Sequence, residues 1–215
     1  SHGFVRVAVA VPRCRVADPA FNAERTVALL HGAADEGAVL VAFPELGLSA
    51  YTCDDLFHQR ALLDGCELAL QVLVQASIHC AAVAIVGLPL RVDHSLFNCA
   101  AVVHRGRVLG VVPKSYLPNY GEFYEARQFN PASNAMSGEI VLGGEPVPFG
   151  AELLFEADDI AAFKCHVEIC EDVWVPIPPS SEAALAGATV LVNLSASNIT
   201  VGKAEYRHRL VSLQS

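Results

Sequence analysis

The sequence predicts an α/β fold in which helices are layered with mixed β-sheets. Short β-branched runs, typical of buried strands, alternate with segments whose apolar residues recur at helical spacing. Two pairs of these runs flank short turns that contain glycine and therefore predict β-hairpins, which makes the sheets mixed. With 215 residues, of which 53% are hydrophobic, the chain can form one well-packed domain without disulfides or metals.

The first half predicts strands separated by two helices. Asp18 followed by Pro19 is a helix-start signal, an N-cap and a proline at the first helical position, and this helix is expected to end at Gly37. The Asp54–Asp55 pair is expected to cap a second helix that lasts to about Cys80. The first strand is so apolar that we expect it to be central. The predicted strands of this half are residues 4–11, 38–43 and 83–88.

The second half predicts hairpins, two further strands and two further helices. A long aromatic and polar connection, residues 115–137, resembles the loops that usually bind ligands. The last helix is expected to begin near Lys203 and is still open at Ser215, so we expect the domain to be incomplete at its C-terminal end. The remaining elements are hairpins 98–103/108–112 and 140–142/146–149, strands 161–169 and 189–194, and helix 181–186.

Composition argues against several classes of function. The net charge of −9 and the absence of a basic run argue against nucleic-acid binding. No apolar stretch approaches the roughly 20 residues that span a bilayer, so we expect no membrane association. Seven scattered cysteines form no CxxC pair, and we therefore expect no metal site and reduced thiols in a cytoplasmic protein.

Three apolar runs each end at a chemically able residue. The runs 40–44, 108–113 and 167–169 end at Glu45, Lys114 and Cys170. Ligands of open α/β folds bind outside the carboxyl ends of strands, so we expect the three side chains to share one site. A carboxylate, an ammonium and a thiol supply a general base, a charge stabiliser and a nucleophile.

Each of the three residues also has a purely structural interpretation. Cys170 is explained as a core residue, Glu45 as a cap and Lys114 as a surface residue, since structural ion pairs and active sites look alike in sequence. A Cys–His pair is a further alternative, but along a strand His166 would lie about 13 Å from Cys170, too far for proton transfer. The joint occurrence of the three residues at strand ends favours the catalytic interpretation.

Five sequence stretches resemble the nitrilase superfamily of amidases and, more narrowly, the glutaminase domain of glutamine-dependent NAD+ synthetases. They are Phe-Pro-Glu-Leu at 43–46, Pro-Lys-Ser-Tyr-Leu-Pro-Asn-Tyr at 113–120, Phe-Tyr-Glu-Ala-Arg at 123–127, Glu-Ile-Cys-Glu-Asp at 168–172 and Asn-Leu-Ser-Ala-Ser at 193–197. The resemblance implies a nitrilase-like α-β-β-α sandwich with mixed sheets over residues 1–215. It also implies that Glu45 is the general base, Lys114 the oxyanion stabiliser and Cys170 the nucleophile, with Glu125 as a second glutamate that holds the lysine.

The resemblance further implies a substrate and its contacts. Cys170 would attack the side-chain amide of L-glutamine and form a thioester that water hydrolyses. Glu171 would bind the substrate ammonium and contribute its backbone N–H to the oxyanion site. Ser197 and Lys203 would meet the substrate carboxylate, although a lysine lacks the bidentate geometry of arginine. Tyr120 and Phe123 would wall the pocket, their alternative being loop packing, while Trp174 is assigned to packing beside the site.

In the family, the released ammonia passes to a C-terminal synthetase domain that uses ATP, Mg²⁺ and deamido-NAD+, whereas the amidase step needs no cofactor. This sequence contains no Ser-Gly-Gly-x-Asp-Ser loop and no GxxxxGK[ST] loop, so we expect the synthetase domain to be absent from it. The expected partners are that domain and further copies of the chain in a homo-oligomer. Two alternatives stay open: a stand-alone amidase or carbamoylase acting on another small amide, and a catalytically silent scaffold.

Overall fold

The structure of residues 4–215, a computed structural model, contains two main β-sheets and a separate hairpin, and the first three residues of the expected domain lie outside the described residues. The larger sheet has the strand order β1-β2-β3-β4-β5, and the smaller has the order β10-β9-β8. The strands are β1 (Val7–Val9), β2 (Leu40–Ala42), β3 (Val83–Val92), β4 (Ser95–His104), β5 (Arg107–Pro113), β6 (Glu139–Leu142), β7 (Glu145–Pro148), β8 (Leu154–Glu156), β9 (Lys164–Ile169) and β10 (Val190–Leu194). The helices are α1 (Pro19–Asp35), α2 (Arg60–Ala76), α3 (Glu125–Gln128), α4 (Pro179–Leu185) and α5 (Lys203–Gln214), with 3₁₀ turns at Asp54–His58, Ala132–Asn134 and Cys170–Trp174.

Both main sheets are mixed, as the sequence predicts. Strands β1, β2 and β3 are parallel, whereas β4 and β5 are added antiparallel to β3. In the smaller sheet β9 is parallel to β10 and antiparallel to β8. The predicted hairpins β4–β5 and β6–β7 are confirmed, and Gly106 and Gly143 adopt the positive φ angles that their turns require.

The layers are stacked as helix, sheet, sheet, helix. Leu30 of α1 and Leu73 of α2 share one apolar core with Val86 on one face of the larger sheet. The opposite face of that sheet packs on the smaller sheet through a second core. The α4 helix contacts β9 on its other side, where the backbone amide of Ser180 donates to the buried Glu168 carboxylate at 3.1 Å. The predicted α-β-β-α sandwich is thus confirmed.

The expectation of a central first strand is wrong. β1 covers three residues and forms the edge of the larger sheet, where Val7 and Val9 are exposed. Apolar composition predicts a strand but does not fix its place in a sheet. Because the successive crossovers through α1 and α2 place β2 and then β3 on the same side of β1, the first strand is left at the edge.

One of the two predicted aspartate caps is confirmed. The Asp18 carboxylate accepts a hydrogen bond from the backbone amide of Phe21 at 3.1 Å and caps α1. The Asp54–Asp55 pair instead opens a 3₁₀ turn, and α2 begins at Arg60 without a side-chain cap. Phe57 anchors that turn by packing edge-on against Phe129, with 4.9 Å between the ring centroids, so tertiary packing overrides the local cap signal.

The described helices of residues 4–215 include none that is both long and apolar enough to cross a membrane. All seven cysteines are free thiols, and only Cys14 is exposed.

Candidate active site

Glu45 is held in a turn that lies directly against strand β3. The turn follows β2, and its Leu48 amide donates to the Gly87 carbonyl at 3.0 Å. A Cβ atom at Gly87 would lie 2.4 Å from the backbone nitrogen of Leu46 and 2.6 Å from the carbonyl oxygen of Pro44. Only glycine therefore permits this approach, which places the Glu45 side chain in the interior, where it is 2% exposed.

Lys114 lies between two buried carboxylates at the end of β5. Its Nζ is 2.6 Å from Oε1 of Glu45 and 2.7 and 2.9 Å from the two carboxylate oxygens of Glu125. Burial by itself lowers the pKa of Lys114, but the charges of Glu45 and Glu125 outweigh it and raise that pKa above its ordinary value. The ammonium ion therefore stays protonated at neutral pH. Burial, opposed by Lys114, raises the pKa of Glu125.

Cys170 begins the 3₁₀ turn that follows β9. Its φ angle of +45° lies in the left-handed region, which is strained for a residue with a side chain. Burial and then the nearby Glu45 carboxylate raise the pKa of the thiol to about 12, although Lys114 and the Ala196 amide act in the opposite direction. The resting residue is therefore a thiol, and Glu45 is the adjacent group that can accept its proton.

Asp172 ties the segments of Cys170 and Lys114 together. One of its carboxylate oxygens accepts the backbone amides of Ser115 at 3.1 Å and Tyr116 at 2.8 Å. The other accepts the amide of Ile169 at 2.9 Å. Burial raises the pKa of Asp172 to about 7 in spite of these three donors.

Sequence reasoning missed Asp172 and two further residues that hold the carboxylates. Asn98 donates its side-chain amide to Oε1 of Glu45 at 2.8 Å, and the Tyr51 hydroxyl donates to Oε1 of Glu125 at 2.7 Å. Asn98 had a signal, because it is the one amide within the apolar strand 96–103. Tyr51 had no such signal in the sequence, because a tyrosine in a loop is common and does not by itself indicate a functional role.

The predicted substrate residues fall into two groups. Tyr120 and Glu171 lie together, since the Tyr120 hydroxyl donates to the Glu171 carboxylate at 2.9 to 3.0 Å. Phe123 packs edge-on against Tyr120, with 6.0 Å between the ring centroids. These residues come from the long connection and from the segment after Cys170, so the connection does contribute to the site region.

The second group, Ser197 and Lys203, lies on the segment after β10. The backbone amide of Ala196 in this segment donates to Oε2 of Glu45 at 3.0 Å, so Ser197 is next to the site. Lys203 is bonded instead to the side chain of Asn198 and lies 5.6 Å from the Trp174 ring centroid. Trp174 also stacks on Tyr206, as expected for a packing residue.

Two alternative chemistries receive no support from the geometry. Among the described residues 4–215, no group of three or more His, Cys, Asp or Glu side chains is placed to hold a metal ion. His166 is buried, its Nδ1 is 3.3 Å from the Leu153 carbonyl, and burial lowers its pKa. Its ring therefore belongs to the α4 side of β9 and not to the surroundings of Cys170.

Comparison with solved structures supports the fold. The glutamine-dependent NAD(+) synthetase of Cytophaga hutchinsonii matches with a TM-score of 0.80 and 26% identity, over 94% of this chain and 32% of that one. An amidase from Nesterenkonia sp. has a TM-score of 0.71 and 18% identity, over 96% of this chain and 70% of that one. At 18% identity, the match to the amidase supports a shared fold and nothing further.

Curated relatives match at higher identity. The glutamine-dependent NAD(+) synthetase of Mycobacterium tuberculosis is 54% identical over 209 residues, which are 97% of this chain and 31% of that protein. The protein of the same name from Mycobacterium leprae is 49% identical over 210 residues. The chain therefore spans about a third of the length of these relatives. The model of the carbon-nitrogen hydrolases matches residues 6–214, and this protein accordingly belongs to the carbon-nitrogen hydrolase family.

Proposed function

We propose that this chain hydrolyses the side-chain amide of L-glutamine and releases ammonia. The observation that carries the proposal is the convergence of Glu45, Lys114 and Cys170, which come from three strand ends and are all at most 4% exposed. In the proposed reaction Cys170 is the nucleophile, Glu45 the general base and Lys114 the oxyanion stabiliser. The relatives named as glutamine-dependent support glutamine as the amide.

Proton transfer must accompany the attack of Cys170. With a thiol pKa of about 12, only about one molecule in 10⁵ would carry a free thiolate at pH 7. Cys170 Sγ therefore forms its bond to the amide carbon as its proton moves to Glu45. The negative charge then appears on the amide oxygen, and Lys114 and the backbone N–H of Glu171 stabilise it. The number of charges in the site stays constant through this step, which favours reaction in a buried environment.

The second half of the reaction returns the proton. Glu45 gives the proton to the departing nitrogen, the carbon–nitrogen bond breaks, and ammonia leaves a Cys170 thioester. Glu45 then takes a proton from a water molecule that attacks the thioester and returns it to the sulfur as the carbon–sulfur bond breaks, which releases glutamate and restores the thiol and the Glu45 carboxylate. Lys114 stays protonated throughout, because the Glu125 carboxylate remains beside it and raises its pKa while Glu45 carries the proton.

Charged residues around the site suit the two ends of free glutamine. We assign the substrate ammonium to Glu171, whose carboxylate is already oriented by Tyr120. The substrate carboxylate is assigned to Ser197 and to Lys203, which would exchange its bond to Asn198 for the substrate. Phe123 would pack against the aliphatic part of the substrate.

The relatives that match are about three times as long as this chain and are named NAD(+) synthetases. We propose that in the full-length protein the ammonia serves the amidation of deamido-NAD+ by a C-terminal synthetase domain. ATP and Mg²⁺ would act in that domain, and the amidase step would need no cofactor.

Steady-state release of ammonia tests the proposal. The substrates are L-glutamine, simple aliphatic amides and N-carbamoyl amino acids, and the variants are Cys170→Ala and, as a matched control, Cys14→Ala at the exposed thiol. We expect preference for glutamine, at least a 10³-fold loss in Cys170→Ala and no loss in the control. Preference for an aliphatic or carbamoyl substrate would refute glutamine as the substrate, and release from none of them would refute catalysis itself.

A further inference from the structure

Asn98 touches two of the three proposed catalytic residues. It lies on β4, is fully buried, and has apolar neighbours along the strand. Its side-chain Nδ2 is 2.8 Å from Oε1 of Glu45, and its backbone carbonyl accepts the amide of Lys114 at 2.8 Å. One residue of the strand therefore holds the carboxylate and the backbone that carries the ammonium.

The orientation of the Asn98 amide follows from its contact with Glu45. An ionised carboxylate only accepts hydrogen bonds, so Nδ2 must face Glu45 and Oδ1 must point away. That Oδ1 is buried and has no hydrogen-bond partner within residues 4–215. An unpaired buried oxygen destabilises the fold, and packing alone would be served by an apolar residue like those beside it. The Nδ2 donor therefore calls for a functional explanation.

The two oxygens of Glu45 have different surroundings. Oε1 accepts from both Lys114, at 2.6 Å, and Asn98. Oε2 accepts from the backbone amide of Ala196 at 3.0 Å. The same amide lies close enough to Cys170 to lower the pKa of its thiol, and Asn193 at the end of β10 donates its side-chain amide to the Cys170 carbonyl at 3.4 Å. Oε2 therefore faces the segment after β10 that borders Cys170.

We propose that Asn98 is a positioning residue which, together with Lys114, occupies Oε1 of Glu45 and leaves Oε2 to take the proton of Cys170. This inference rests on the proposed function, in which Glu45 is the general base. A neutral donor suits the task, because a second cation in its place would weaken Glu45 as a base. Asn98 therefore favours the ionised, correctly rotated carboxylate without changing the charge of the site.

Two variants of opposite chemistry test the role of Asn98. Asn98→Leu removes the donor, so Glu45 becomes easier to protonate, and the low-pH limb of kcat/KM should move to higher pH, with a loss of roughly 10² near neutrality. Asn98→Asp is nearly isosteric. Its carboxyl group donates to Glu45 while protonated and repels it once ionised, so its rate relative to wild type should fall as the pH rises. Val103→Ala, on the same strand, controls for lost packing.

Alkylation of Cys170 by iodoacetamide, followed by peptide mass spectrometry from pH 5 to 9, gives a readout without substrate. Relative to wild type, we expect the rate of Cys170 alkylation to rise with pH in Asn98→Leu and to fall with pH in Asn98→Asp. Val103→Ala should show the wild-type pH profile. Equal losses with unshifted profiles in all three variants would overturn the positioning role. If wild type does not hydrolyse glutamine but the alkylation trends persist, the proposed function fails and the Asn98 assignment stands.

Discussion

The carboxylate of Asp172 accepts the backbone amide of Tyr116 at 2.8 Å and so joins the segment after the candidate nucleophile to the segment after Lys114. The two segments belong to different sheets, because Lys114 follows β5 and Cys170 follows β9. This hydrogen bond therefore directly links the two parts of the candidate site, the segment after β5 and the segment after β9.

Replacing Asp172 should reduce catalysis without changing the reacting groups. In Asp172→Asn an amide nitrogen must face either the Ile169 N–H or the two loop amides, and one of these contacts becomes repulsive. We expect kcat to fall by roughly 10², since a displacement of about 1 Å has effects of this size. Steady-state kinetics on the preferred amide measure kcat, and a wild-type kcat in Asp172→Asn would show that this link between the two segments is not needed for catalysis.

The same substitution should change how stability depends on pH. The pKa of Asp172 is about 7 in the folded protein, compared with the ordinary aspartate value of 3.8 that applies to the unfolded chain, so the folded state binds the proton more tightly. This residue therefore favours folding at about pH 4, and that contribution is lost as the pH rises to about 7. Urea unfolding should show a shallower decline between pH 4 and 7 in Asp172→Asn than in wild type. Parallel curves for the two proteins would contradict the shift.

Gly87→Ala should displace the proposed base. The new Cβ would lie 2.4 Å from the Leu46 nitrogen and 2.6 Å from the Pro44 oxygen, which are backbone atoms that cannot move independently of Glu45. We expect a loss of activity of at least 10²-fold together with lower stability. Gly32→Ala is the matched control, because its Cβ meets no atom within 4 Å and it lies in α1, where alanine stabilises by roughly 0.5–1 kcal/mol. Full activity in Gly87→Ala would contradict the close-approach argument.

Lys114→Met should expose the electrostatic role of the lysine. It leaves Glu45 and Glu125 buried without their cation, and breaking a buried pair in this way costs about 3–5 kcal/mol. Because the unpaired carboxylates are easier to bury when protonated, the stability deficit should grow as the pH rises from 5 to 8. Chemical denaturation at several pH values measures this. Lys164→Met, at a partly exposed pair with Glu156, should cost at most about 1 kcal/mol, and an equal cost in both variants would refute the prediction.

An electrophilic glutamine analogue, with a diazoketone in place of the amide, should label Cys170 first. Burial raises the pKa of Cys66 and Cys165 to about 12, and neither thiol has Glu45 beside it. The exposed Cys14 is not among the residues of the candidate site and should react mainly with general reagents such as iodoacetamide. Peptide mass spectrometry, with protection by excess glutamine, measures the order. Labelling of Cys14 first, or no protection, would contradict the assigned pocket.

The convergence of Glu45, Lys114 and Cys170 could be predicted because each ends an apolar run. In open α/β folds the carboxyl ends of the strands lie at the same edge of the sheets, and applying this rule requires no knowledge of side-chain contacts. The helix start at Asp18 was equally predictable, because its cap bond spans three residues.

Other features depend on contacts that local patterns do not encode. Asn98 and Tyr51 reach their carboxylates across 53 and 74 residues of chain, and neither pairing leaves a local spacing signal. The edge position of β1 is likewise a property of the whole sheet order. The Asp54 cap failed for a related reason, since the burial of Phe57 decided the local conformation.

The packing of the two sheets against each other has a consequence for variation far from the site. Ile85 and Val102 of one sheet meet Val167 and Ile169 of the other in a single core, directly beneath the residues that would react. Close-packed interiors transmit changes of volume as small rigid shifts. Removing a methyl group in this layer should therefore change the distance between the Cys170 sulfur and the Glu45 carboxylate. Fewer core substitutions should preserve activity here than in the core beneath α1 and α2.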